Sequence, residues 1–117
     1  MQKLIRMMLL ILLMLLMQNS QAALNRGHIR GRVIDYKTKQ PLAGANVQVI
    51  GTDFGTSSNN EGIFLILNLK EDVYKLNISY MGYSNYLETD VQVVRNKTTK
   101  VKEIGLYETA LEAEGIM

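Results

Sequence analysis

The chain has 117 residues, with 13 Lys and Arg against 11 Asp and Glu, one His, no Cys and no Trp. Zero Cys and a single His exclude thiol-rich or His-rich zinc sites and any cysteine nucleophile. The formal charge of +2 comes from Lys3 and Arg6 near the N-terminus; the 11 basic and 11 acidic side chains that remain give no electrostatic argument for nucleic acid or an anionic surface.

Lys3 and Arg6 precede the apolar run Met7 to Met17, then polar Gln18 and Asn19 and the small-residue pattern Ser20-Gln21-Ala22. Residues 1–22 therefore read as a secretory signal peptide cleaved after Ala22. A membrane anchor is the alternative, but an eleven-residue helix rises only about 16 Å against a hydrocarbon core of about 30 Å. Without a Cys near the cleavage point, a thiol-linked lipid anchor is excluded. An exported domain of about 95 residues with no disulfide must then rest on its core alone.

After Ala23 to Gly27, a first strand is predicted near His28 to Asp35. Ile29, Gly31 and Val33 share one face; His28, Arg30 and Arg32 share the other. The two arginines mark that face as solvated, since no Gly-rich loop or helix start accompanies them as a phosphate site requires. His28 has no second His at metal-ligand spacing and reads as a surface residue. Lys37 to Pro41 is a turn, and Ala43 to Gly51 a second strand in which Ala45, Val47 and Val49 alternate with Asn46 and Gln48. Gly51, Gly55 and Gly62 mark reversals. Between them Gly55-Thr56-Ser57 forms a short strand, and Ser58 to Gly62 turns with Asn side chains accepting from amides two residues on. A calcium loop from Asn59, Asn60 and Glu61 is the alternative, but one carboxylate is a poor charge count for Ca²⁺.

Ile63 to Leu67 is apolar on both faces, unlike a strand with one wet side. Phe64 and Ile66 are expected to enter the core. Ile63, Leu65 and Leu67 then point outward, covered locally or by another protein, and form the candidate partner contact. After the charged turn Lys70-Glu71-Asp72, Tyr74, Leu76, Ile78 and Tyr80 alternate with Lys75, Asn77 and Ser79. Met81-Gly82-Tyr83 breaks the strand. Tyr86 to Val94 resumes it, with Leu87, Thr89, Val91 and Val93 opposed to Glu88, Asp90 and Gln92. Arg95 to Lys97 turns into a last strand, Thr98 to Leu106, whose pattern slips between Val101 and Ile104 and predicts a bulge or a mobile edge. Residues 108–117, ETALEAEGIM, are acidic and helix-prone and have no evident place in a sheet.

Seven or so short strands at steady spacing, without a helical period after the leader, predict an all-β antiparallel sandwich over residues 23–107. No nucleophile elbow, Walker loop, HExxH helix or dinucleotide fingerprint occurs, so neither an enzyme nor a cofactor or metal site is expected. Tyr80, Tyr83 and Tyr86 offer an aromatic platform, with Tyr83 and Tyr86 as candidate stacking residues for a sugar; core or rim packing is the alternative use.

Gly31 to Asp35 (GRVID), Pro41 to Val47 (PLAGANV), Gly51-Thr52, Ser58 to Phe64 (SNNEGIF), Tyr74-Lys75-Leu76 and Met81-Gly82-Tyr83 together resemble the carboxypeptidase regulatory-like family. The resemblance covers Ile29 to about Leu106 and departs from the usual pattern at Ser58-Asn59, Lys70 and Asp72. It implies a transthyretin- or prealbumin-like seven-stranded sandwich without catalytic residues of its own. It also implies a place: in Bacteroidetes-like bacteria, a signal peptide followed by such a domain is similar to the N-terminal extension of TonB-dependent outer-membrane receptors. The expected partner is then a protein, the plug and barrel of a receptor or another envelope protein, with the membrane met only indirectly, in the periplasm. Residues 108–117 would be the approach to the plug. A free-standing secreted module that binds carbohydrate or a surface polymer is the alternative.

Overall fold

The computed structural model describes residues 1–23 and 25–109, with the backbone alone for 17–23. A helix, α1 (Gln2–Ala23), is followed by eight strands: β1 (Arg26–Asp35), β2 (Asn46–Val49), β3 (Gly55–Ser57), β4 (Ile63–Lys70), β5 (Asp72–Ser79), β6 (Tyr86–Val93), β7 (Thr98–Lys100) and β8 (Ile104–Leu106). The strands form two four-stranded sheets. In the first, β1 pairs with β4 along one edge and with β7 and β8 along the other; the second runs β3-β2-β5-β6.

The core lies between the sheets. Ile29 and Val33 of β1, Phe64 and Ile66 of β4, Val47 and Val49 of β2, Leu76 and Ile78 of β5 and Val91 and Val93 of β6 are all buried. Each set occupies alternate positions of its strand, as the two-residue period of a pleated sheet demands. Among the described side chains, none of α1 belongs to this cluster. The large apolar side chains of the helix from Leu4 to Leu16 are all more than half exposed, so the sandwich closes its core without them. Among the described residues, no helix is long and apolar enough to cross a membrane.

The all-β sandwich expected from the sequence is present, but among the described residues it has eight strands rather than seven and is not wholly antiparallel. The slip between Val101 and Ile104 splits the last predicted strand into β7 and β8, and both run parallel to β1, Thr98 to Lys100 beside His28 to Arg30 and Ile104 to Leu106 beside Val33 to Asp35. β2 is shorter than the predicted Ala43 to Gly51, because Gly44 and Gly51 adopt left-handed conformations that end the extended run on either side.

Two bulges account for the remaining differences. In β4, two residues, Leu67 and Asn68, lie between Ile66 and Leu69 where His28 alone lies between their partners Ile29 and Gly27. The extra residue carries β4 past Leu67, with Asn68 at φ 61, so that Leu69 returns to the core and the strand extends to Lys70. In β6, Tyr74 faces Val91 while Leu76 faces Glu88, and Asp90 takes φ 58. This flips the alternation. Leu87 and Thr89, expected on the core face with Val91 and Val93, are exposed instead, Leu87 at 51%.

Candidate interaction surface

On the outer face of the first sheet, the predicted contact row and the arginine row lie side by side. Arg32 pairs with Ile63 and Arg30 with Leu65, and the bulge sets Leu67 and Asn68 against His28. Leu65 is 45% and Leu67 49% exposed, whereas Ile63 is half-buried. Strand alternation produces this: with Phe64 and Ile66 directed inward, the odd-numbered residues can only face out. The inward Phe64 ring occupies the space above Gly31, where a Cβ would collide with it.

Arg32 is held by two acceptors, its Nε donating to the Glu61 carbonyl at 3.0 Å and its guanidinium to Glu103 Oε2 at 3.4 Å. Both side chains of that ion pair are about half exposed, so it contributes little to stability. Arg30 stands beside Lys100, its partner in register on β7. A cleft of about 270 Å³ opens between them, Ile63 and Glu103. Arg26 and Lys70, themselves paired, complete a cationic border around the apolar row. The charges balance along the sequence, but the fold gathers five cations on one face. His28 does more than decorate that face: its Nδ1 accepts from the Asn68 amide at 3.1 Å, satisfying a donor that the bulge frees from the ladder.

The turn into β4 uses its amides as the sequence predicts. Asn59 Oδ1 accepts from the amides of Glu61 at 2.9 Å and Ile63 at 3.0 Å. Among the described residues, no group of three or more His, Cys, Asp or Glu side chains comes together. Ser58 before it is buried, accepting from the Ala45 amide at 2.8 Å and donating to the Leu42 carbonyl.

Five of the six tyrosines cluster where β1 ends and β5 turns into β6. Tyr83 is half-buried, its ring edge-on to Tyr80 at 5.3 Å between centroids. Its hydroxyl donates to Asp35 Oδ2 at 2.6 Å, while Asp35 Oδ1 accepts from the amides of Lys37 at 2.8 Å and Thr38 at 3.0 Å. The Tyr83 hydrogen bond, first, and these amides hold the Asp35 carboxyl below its ordinary 3.8. The same hydrogen bond, with burial, pushes the Tyr83 phenol up from 10.0 to about 12. Tyr86, the other candidate stacking residue, is 40% exposed at the start of β6.

Sequence reasoning missed a second aromatic pair. Tyr36 and Tyr107 lie 4.3 Å apart with rings tilted by 31°, and the Lys39 ammonium sits 4.5 Å from the Tyr36 centroid. These tyrosines meet only because β8 runs parallel to the end of β1, and no local pattern in the sequence announces that pairing. The chain beyond β8 is held there too: the Ser84 amide donates to the Tyr107 carbonyl and the Thr109 amide to the Gly82 carbonyl, both at 2.8 Å. Glu108 bridges to Tyr83, so the start of the acidic segment does have a place in the fold; residues 110–117 lie outside the described residues.

Among solved structures, a type II cohesin–X-dockerin complex from Acetivibrio cellulolyticus has a chain that superposes with TM-score 0.61 at 18% identity, over 70% of this chain and 58% of that one. The minor pilin GBS52 of Streptococcus agalactiae gives 0.52 at 18% identity, over 74% and 46%. A candidate carbohydrate-binding protein from Bacteroides uniformis gives 0.50 at 16%, over 68% and 40%. At such identities these likenesses speak for the β-sandwich fold alone, and this chain spans less than two thirds of the length of each. No curated protein matches. The profile of the CarboxypepD_reg-like domain matches residues 29–117, which takes in every strand from within β1 onward, and the chain belongs to that family.

Proposed function

We propose that this chain is an exported, non-catalytic interaction module that works by surface contact, as the N-terminal accessory part of a TonB-dependent outer-membrane receptor. The observation that carries the contact reading is the outward row Ile63, Leu65 and Leu67 on a strand whose alternate residues fill the core. Family membership and the structural likeness to cohesin–dockerin and pilin proteins are consistent with a protein partner. The leader pattern of residues 1–22 supports export, with residues 108–117 leading toward a downstream plug. Two four-stranded sheets packed face to face enclose no channel, so transport would belong to a barrel elsewhere.

Reading the gene beyond codon 117 tests the receptor assignment: continuation in frame into a plug and a barrel is expected, and a stop codon there would contradict it. The N-terminus of the exported protein tests the leader, with Ala23 expected as the first residue. A second reading, a module for carbohydrate or a surface polymer, draws on exposed aromatic area at Tyr86, Tyr36 and Tyr107. Glycan-array binding lost on Tyr107→Ala would favour it; a blank array would count against it.

A further inference from the structure

We infer that β4 is the strand through which two copies of this chain join, edge to edge and antiparallel, into one continuous sheet. This rests on the reading of Ile63, Leu65 and Leu67 as a contact row and names what occupies it. β4 ends its sheet, with β1 as its neighbour on one side. The Gly62 carbonyl points toward β1, accepting from the Val33 amide at 2.8 Å. Ile63 bonds the other way, its amide to Asn59 Oδ1 at 3.0 Å and its carbonyl to the Asn59 amide at 2.9 Å. Backbone direction alternates along a strand, so the amides and carbonyls of Leu65 and Leu67 also face away from β1. There, among the described strands, no neighbour pairs with them. The residues with unpaired edge groups are thus the ones whose apolar side chains are exposed.

Sheet edges are ordinarily blunted by shortness, charge or a bulge. β3 and β7 are three residues long, and β6 carries Glu88, Asp90 and its bulge. β4 has a bulge too, beyond Leu67, but it runs from Ile63 to Leu69 without one charged residue. Its sequence is also self-complementary. Antiparallel pairing about a two-fold axis beside Ile66 sets Leu65 against Leu67 of the second copy and the reverse, pairing the free backbone groups and closing one apolar row. It also directs Lys70 toward the Glu61 end of the second copy. A lipid surface offers apolar contact but no partners for the backbone. The pairing consumes both edges, so it stops at a dimer.

Sedimentation equilibrium on residues 23–117, from micromolar to submillimolar concentration, tests this. A monomer–dimer equilibrium is expected, weakened at least about tenfold by Leu65→Lys with the thermal midpoint unchanged. Since the chain has no Cys, single-thiol variants test the register. Mild oxidation of mixed Leu65→Cys and Leu67→Cys chains should cross-link them faster than Leu65→Cys mixed with Leu87→Cys, whose site lies on the other sheet. A wild-type monomer at every concentration, a dimer indifferent to Leu65→Lys, or cross-linking without preference would overturn the inference. If self-association is missing while Leu65→Lys melts normally, the row remains a face for another protein and self-pairing alone fails. If Leu65→Lys cannot fold, the row is core and both readings fall.

Discussion

Gly31 lacks a side chain where the Phe64 ring needs the room, and the two residues are paired in register across β1 and β4. Gly31→Ala should cost about 1–3 kcal/mol, because neither the ring nor the strand can retreat without opening the core. In a double-mutant cycle read by urea unfolding, Phe64→Leu should relieve part of that cost, since the two residues share one space. Ser58→Ala removes the acceptor of a buried amide and the donor to a buried carbonyl at once, and about 1–3 kcal/mol of destabilisation is expected. The hydrogen bond between Tyr83 and Asp35 makes stability depend on pH. The Asp35 carboxyl is depressed, so its share of stability is present above 3.8 and lost as pH falls through the lower folded value. The Tyr83 phenol is raised, so its share is present below 10.0 and lost as pH rises toward about 12. The stability difference between wild type and Tyr83→Phe should therefore be constant between those limits and shrink beyond each. A difference that ignores pH would show that the hydrogen bond does not form.

At the scale of the element, alternation is legible where a strand is regular and misleads where a bulge reverses it. β5 reads correctly because Tyr74, Leu76 and Ile78 keep one face throughout. β6 does not, since Asp90 enters the left-handed region and turns Leu87 outward. Nothing in the run Leu87-Glu88-Thr89-Asp90 distinguishes an Asp that bulges from one that faces water. The conformation itself is testable. Asp tolerates positive φ better than a β-branched residue, so Asp90→Val should destabilise by about 1–2 kcal/mol while Asp90→Gly is neutral or better. Equal effects of both would place the residue in an ordinary extended conformation. The split of the last predicted strand had a sequence signal, the slip between Val101 and Ile104, but its parallel pairing with β1 did not. Parallel partners are set by the path of the chain between them, which here passes through the opposite sheet.

Across the whole molecule, the outward row was legible because five consecutive apolar residues cannot all face one core. Its setting was not. The cationic border of Arg26, Arg30, Arg32, Lys70 and Lys100 comes from three strands far apart in sequence, and the Tyr36–Tyr107 stack joins the ends of β1 and β8. That stack ties down the segment from which the chain leaves the sandwich, so Tyr107→Ala should cost about 0.5–1.5 kcal/mol beyond lost burial. Earlier hydrogen exchange at the Ser84 and Thr109 amides should accompany it. On β4, neighbouring residues belong to different worlds, one inside and one available to a partner. Thermal and urea unfolding of Phe64→Ala and Leu65→Lys, compared at a concentration where residues 23–117 are monomeric, measures this directly. Phe64→Ala should lose about 3–5 kcal/mol and Leu65→Lys no more than about 0.5. Comparable losses at both positions would contradict it, since Leu65 would then be as much a part of the interior as Phe64.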